Sequence, residues 1–281
     1  MLSRMFTLNF KNMVRRKEFF STMLISLLFF LLPATIDVMK LQGKNIAALS
    51  PAWCYFGYTN VVGGFTSAPA VQLYFLFFFP FVASMAFSTC AYDNKKTGIS
   101  KFIIQRSGRK NYYVSQAFTI FCGAFLIVFI SSALGELVTI AAVPLSSIKS
   151  NPYYPLMPDL PFRNVIFFQS VCYNYPYLYF FIYDVISGIF SGLIGLLSYS
   201  ISLHSKINRF LVITIPGIVY LIAGLIFNTF GLHAMSPEYL VVPPTNIEGI
   251  KLEYVLFFAC SLLIINLLAI WAKIHVDKDE F

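Results

Sequence analysis

The chain has 281 residues, of which 58% are hydrophobic and only 11% charged. A soluble globular domain averages about 25% charged residues, so a water-soluble globule is excluded and an integral membrane protein is expected. At about 20 apolar residues per crossing helix, six spans fit within one membrane domain, and the net charge of +8 has its use in fixing orientation; no nucleic-acid partner is expected.

Residues 1–18 read as an amphipathic interfacial helix. At about 100° per residue, Phe6, Phe10 and Met13 fall on the side of Leu2, while Arg4, Lys11 and Arg15 gather opposite. Such a helix is expected on the cytoplasmic leaflet, cations toward anionic headgroups. The basic leader and apolar run resemble a signal peptide, but no small-residue cleavage site follows Pro33, so the run is expected to remain as an anchor.

Residues 19–281 read as a six-span domain, with apolar stretches at 19–38, 71–92, 113–143, 178–203, 210–231 and 254–273. Six crossings put both termini on one side. That side holds Arg4, Lys11, Arg15, Arg16 and Lys17, then Lys95, Lys96, Lys101, Arg106, Arg109 and Lys110, then Lys206 and Arg209, then Lys273 and Lys278. The other side holds Lys40, Lys44, Lys149, Arg163 and Lys251. Fifteen basic residues against five predict cytoplasmic termini.

Pro33, Pro80 and Pro216 lie inside predicted spans, where each removes a backbone hydrogen bond. The fourth span carries Gly188, Ser191, Gly192, Gly195 and Ser198, small residues that allow close helix approach, within the subunit or between subunits. The outer loops fall at about 39–70, 144–177 and 232–253; the second, with five prolines between Asn151 and Tyr177, is expected to cap the bundle, and the third could hold a short re-entrant turn. Five scattered cysteines without metal spacing read as free thiols, a Cys54–Cys172 disulfide being the alternative.

No catalytic or metal constellation appears: His204, His233 and His275 are scattered, and there is no HExxH, G-x-S-x-G or Walker sequence. Energy for any ATP-driven work must therefore come from another chain. Asp37, Glu136 and Asp184 fall near the outer span ends, where they read as solvated helix-end groups or as an acid-lined exit. With no carboxylate placed at the midplane, ion-coupled transport is disfavoured.

The first internal loop, about 93–112, is the most informative stretch. Gly98 breaks the polar entry, Ile99, Phe102 and Ile103 recur at helical spacing among Lys101 and Arg106, and Ser107 with Gly108 ends the turn. A short amphipathic helix is predicted, tied at both ends to membrane spans, with Phe102 and Ile103 lacking any core of their own.

This loop resembles that of the type 2 permease subunits of ATP-binding-cassette transporters (ABC-2). Asp93, Gly98, Phe102, Ile103, Ile104, Ser107, Arg109 and Tyr113 follow the family order, and the N-terminal helix with six spans matches its architecture over the full length. Asp93 replaces the usual Glu, no Pro precedes the Arg, and Gln116 stands where Lys is common. The resemblance implies an all-α membrane protein similar to the type V ABC exporter fold, with an ATPase-coupling surface at Asp93, Gly98, Lys101, Phe102, Ile103, Arg106 and Arg109. It implies a second permease copy or paralogue, a separately encoded ATPase carrying ATP and Mg, and a lipid environment in a bacterial cytoplasmic membrane. It also places the second and fifth spans at the dimer interface, where Phe78, Met85, Ile218 and Phe227 are candidates for the translocation path. Compact relatives export amphipathic toxin or antimicrobial peptides, the expected cargo ahead of small drugs, lipid or polysaccharide. The competing class is an ATP-independent secondary transporter or channel.

Overall fold

The computed structural model describes residues 2–43, 52–56, 67–145, 168–204, 208–242 and 249–275, and among them every regular element is helical. Six helical stretches are long and apolar enough to cross a membrane: Lys17–Leu41, Pro69–Asn94, Arg109–Ala142, Pro176–His204, Arg209–Thr229 and Leu252–His275. The chain is a multi-pass membrane protein. Hydropathy located all six within a few residues, because crossing lipid takes about 20 apolar residues of mostly helical chain, in which backbone polar groups satisfy one another.

The first helix, α1 (Leu2–Val14), turns part of its apolar face onto α7 (Arg109–Ala142) and leaves Leu2 exposed. Phe6 packs on Phe118 with tilted rings, centroids 5.1 Å apart, the Asn9 amide donates to Ser115 Oγ at 3.0 Å, and Met13 is fully buried beside Gly123. Arg4, Lys11 and Arg15 stay exposed with Leu8 and Val14. The first span, α2 (Lys17–Leu41), follows after a two-residue break and packs along α7.

The second span is interrupted twice. Its parts are α3 (Ser67–Leu73), a π-helical turn (Tyr74–Phe78), α4 (Phe79–Met85), a turn at 86–89 and α5 (Cys90–Lys96). Pro80 has no N–H for an i−4 carbonyl, and the backbone widens just ahead of it. The second break exposes backbone groups that lipid could not satisfy, and its residues Ala86, Phe87, Ser88 and Thr89 are accordingly buried. There Ser88 donates to the Ser84 carbonyl, while Ser198 Oγ lies 2.9 Å from Ser88 Oγ and donates to the Val212 carbonyl at 2.8 Å.

A short helix, α6 (Ile99–Ser107), separates the second span from α7. Beyond α7 come α8 (Gln169–Asn174) and the fourth span, α9 (Pro176–His204). In α9 67% of the most apolar window is buried, so α9 is the centre of the bundle; in α12 (Leu252–His275) the share is 17%, so α12 is peripheral. The small-residue stripe of α9 makes that centre possible. A Cβ at Gly188 or Gly192 would strike the rings of Phe125 or Phe121, and one at Gly195 would sit 3.1 Å from the Ala83 carbonyl. Ser191 Oγ donates across the same seam to the Ala124 carbonyl at 2.9 Å. The stripe is filled within the chain. On the other side Asn266 of α12 donates to the Leu193 carbonyl at 3.0 Å and lies 3.1 Å from Ser200 Oγ.

The fifth span, α10 (Arg209–Thr229), ends in a Schellman turn: Leu232 N–H donates to the Phe227 carbonyl, Gly231 N–H to that of Asn228, and Gly231 takes φ +72°. The chain reverses there into α11 (Pro237–Val241), a short helix at the end of the bundle opposite the termini. All five cysteines are free thiols. Burial pushes the Cys172 thiol up to about 12, which leaves it protonated and inert at neutral pH. The proline-rich cap expected before residue 168 lies outside the described residues.

Candidate functional site

At the end of the bundle that carries the N-terminal helix, α6 stands apart because glycines with left-handed φ bound it. Gly98 (φ +73°) and Gly108 (φ +80°) turn the chain sharply at both ends, a conformation that costs other residues about 1 kcal/mol or more. Ser107 is buried and donates to the Ile103 carbonyl at 2.7 Å. Ile104 is 8% exposed, whereas Phe102 is 70% exposed. The helix thus has one face on the bundle and one that no other part of the chain covers among the described residues.

Lys101, Phe102 and Arg106 lie on the exposed side, joined by Ile99. Ile103 is half-buried and packs against the core around Tyr112, Tyr113 and Tyr199, so the exposed apolar pair is Ile99 with Phe102. Arg109 is partly covered in the first turn of α7. Asp93 points the other way: its carboxylate accepts from Arg16 at 2.7 Å, and the Arg16 guanidinium also lies over the Phe87 ring at 5.1 Å. Two residues further on, Glu18 accepts from Arg209 at 2.6 Å. The junction between α1 and α2 is therefore bonded to the end of the second span and to the start of the fifth. Asn94 adds a link from α5 to α7 through Tyr112 Oη at 3.3 Å.

The four residues expected along a path lie on the second and fifth spans, which pack on each other. Phe78 packs on Phe29 of α2 at 4.8 Å, and Phe227 on Phe258 of α12 at 5.7 Å. Phe78 and Ile218 are exposed, and Met85 and Phe227 are half-buried.

The acids overturn the expectation of solvated helix ends. Asp37, Glu136 and Asp184 are all buried, with Asp184 fully so. Asp184 is eight residues into α9, roughly 12 Å along the axis, which places it within the depth of an apolar layer about 30 Å thick. Glu136, also buried, lies on α7, the helix most closely packed on α9. Glu136 Oε1 has no hydrogen-bond partner among the described residues. The sequence held a signal for this: Asp184, Gly188, Ser191 and Gly195 follow at i, i+4, i+7 and i+11, so Asp184 shares the face that packs on α7.

These features define a multi-pass membrane protein with a discrete amphipathic helix between its second and third spans. No family model matches the chain, and no solved structure matches it. It is similar to the uncharacterized protein YybM of Bacillus subtilis (strain 168), with 27% identity over 189 residues, which are 67% of this chain and 70% of that relative.

Proposed function

We propose that the chain is the membrane-spanning permease subunit of an ATP-driven exporter of the ATP-binding-cassette class. It works as a dimer in a bacterial cytoplasmic membrane with cytoplasmic termini, and a separate ATPase subunit binds ATP and Mg. The observation that carries this reading is α6: an exposed aromatic at 70% and its neighbour Ile99 are held out by two left-handed glycines, between spans that would move if the helix were pushed. Burying a Phe side chain on a partner is worth about 1.5–3 kcal/mol, enough for a docking contact, and Lys101 with Arg106 would steer an acidic groove. The ion pairs through Arg16 and Glu18 link α5, the element just before that helix, to the fifth span. The proposed cargo is an amphipathic peptide, moved between apolar and aromatic faces. Capture of the encoded ATPase by the tagged permease, and loss of that capture with Phe102→Asp, tests the reading.

A second reading, an ion-coupled secondary transporter, is favoured by the buried Glu136 and Asp184, since intramembrane carboxylates mark ion and proton pathways. Transport by the chain alone in liposomes under a proton gradient would select it.

A further inference from the structure

Just beyond the fifth span the chain folds back over the end of the bundle opposite the termini, and a polar chain holds it there. Glu238, in the first turn of α11, is only 6% exposed. Its Oε1 accepts from the Asn228 amide at 2.7 Å, and Asn228 Oδ1 lies 2.8 Å from His233 Nδ1. The Asn228 amide nitrogen is spent on Glu238, so its Oδ1 faces His233, and an amide oxygen can only accept from Nδ1 there. Asn228 is thus oriented from both sides. Glu238 Oε2 lies against α10 where Gly224 has no side chain, and a Cβ there would occupy the carboxylate's place. Ser236, fully buried, sits with its Oγ 3.5 Å from the Gly224 carbonyl.

This docking seats Leu240 and Val241, both fully buried, in the core shared by the π-helical turn, α9, α10 and α12. Among the described residues, the titratable groups near Glu238 on the elements around it are Tyr220 of α10 and Tyr239 of α11. Tyr220 donates to the Phe75 carbonyl at 3.2 Å. At the start of α12, Lys251 and Glu253 form no ion pair with Glu238 or His233 among the described residues.

The hold is a single hydrogen bond and a shape fit: docking exchanges the carboxylate's hydration for one amide donor and a seat beside Gly224. Among the described residues Glu238 has one donor, Asn228. Undocking returns it to water, and Gly231, already left-handed with nothing within 4 Å of a would-be Cβ, can absorb the rotation.

We propose that residues 232–242 form a latched lid: Leu240 and Val241 plug the end of the bundle, and the Glu238–Asn228 hydrogen bond beside Gly224 is the latch that holds the plug. The inference is independent of how the protein is energised and of its orientation in the membrane.

The test uses the purified full chain in detergent, with the two thiols that are not buried replaced (Cys122→Ala, Cys260→Ala). A Leu240→Cys variant is treated with a water-soluble maleimide, the label located by mass spectrometry, and the rate compared with Lys251→Cys at an exposed position. In the parent background Leu240→Cys should react at least tenfold more slowly than that reference. Adding Glu238→Ala should raise its rate about tenfold or more, as expected for loss of a hydrogen bond to a charged group. Gly224→Ala should do the same by displacing the carboxylate. The two together should be no faster than Glu238→Ala alone, because the added methyl then has nothing to displace. Should Glu238→Ala fail to fold, judged by size exclusion and circular dichroism, Gly224→Ala carries the test, since alanine is the better helix former. Labelling of Leu240→Cys at the reference rate in the parent, an unchanged slow rate with Gly224→Ala, or multiplicative effects of the two substitutions would each overturn the latch.

Discussion

Two residues apart in α6, Phe102 and Ile104 have opposite fates, and their difference is a test of what the helix is for. Phe102→Asp changes a side chain that is 70% exposed and should move thermal stability by no more than about 0.5 kcal/mol, while abolishing capture of an ATPase. Ile104→Asp puts a charge into the core around Tyr112 and Tyr199 and should destabilise the protein by several kcal/mol. Thermal unfolding in detergent and pull-down, run on both, separate docking from folding. A loss of stability with Phe102→Asp equal to that with Ile104→Asp would count against a solvent-facing role. Packing at the centre makes a different demand on Gly192. The Phe121 ring fills the space of its absent Cβ, so Gly192→Val should cost about 1–3 kcal/mol by overpacking, visible as a lowered midpoint of unfolding. An unshifted midpoint would mean that α7 and α9 are not held this close.

At the scale of elements, the junction between α1 and α2 acts as a tie. The Arg16–Asp93 pair is 29% and 26% exposed at its side chains, and solvent screening limits such a pair to about 0–1 kcal/mol. Asp93→Arg should nevertheless be more disruptive than that figure, because it sets two guanidinium groups against each other beside Phe87. The double variant Asp93→Arg with Arg16→Asp should recover most of the loss. A double-mutant cycle on thermal stability measures it, and no recovery would show that the pair does not hold α5 to the junction. The same elements show what could be read in the chain and what could not. Span positions were legible because apolar length alone sets them, and Gly98 and Gly108 were legible because only their backbone freedom explains them there. The face of α1 was legible as a pattern but not in its destination: periodicity separates Met13 from Arg15 without saying whether lipid or α7 receives it. Pro80 signalled a disturbance, yet a kink and a π-helical turn have the same sequence. Asp184 was misjudged because distance from a span end was weighed without knowing that α9 is central; a carboxylate at that depth on a peripheral helix such as α12 would have met a different environment. The Asn228–Glu238 contact joins a span end to the loop beyond it, and no local pattern marks such a pairing.

For the whole molecule, the deciding question is where the energy enters. On the proposed reading, the purified chain alone should hydrolyse no ATP, and vanadate-sensitive turnover should appear only with the proposed ATPase partner bound. In that complex, the Arg16 and Glu18 pairs predict that displacement of α6 reaches α10 through the α1–α2 junction. An Arg209→Ala variant should therefore keep its ATPase and its basal turnover but lose cargo stimulation of that turnover. The buried Glu136 and Asp184 make the opposite prediction for an ion-coupled machine: Asp184→Asn would abolish transport by the chain alone under a proton gradient, and no ATPase would be needed. The two outcomes exclude each other when measured on one preparation, because proteoliposomes can be given a gradient without ATP or ATP without a gradient. Cargo movement that requires ATP, persists in Asp184→Asn and fails in Arg209→Ala assigns the energy to the helix between the second and third spans. Movement that follows the gradient and survives Phe102→Asp removes that helix from the mechanism and leaves the buried carboxylates as the place where energy is coupled.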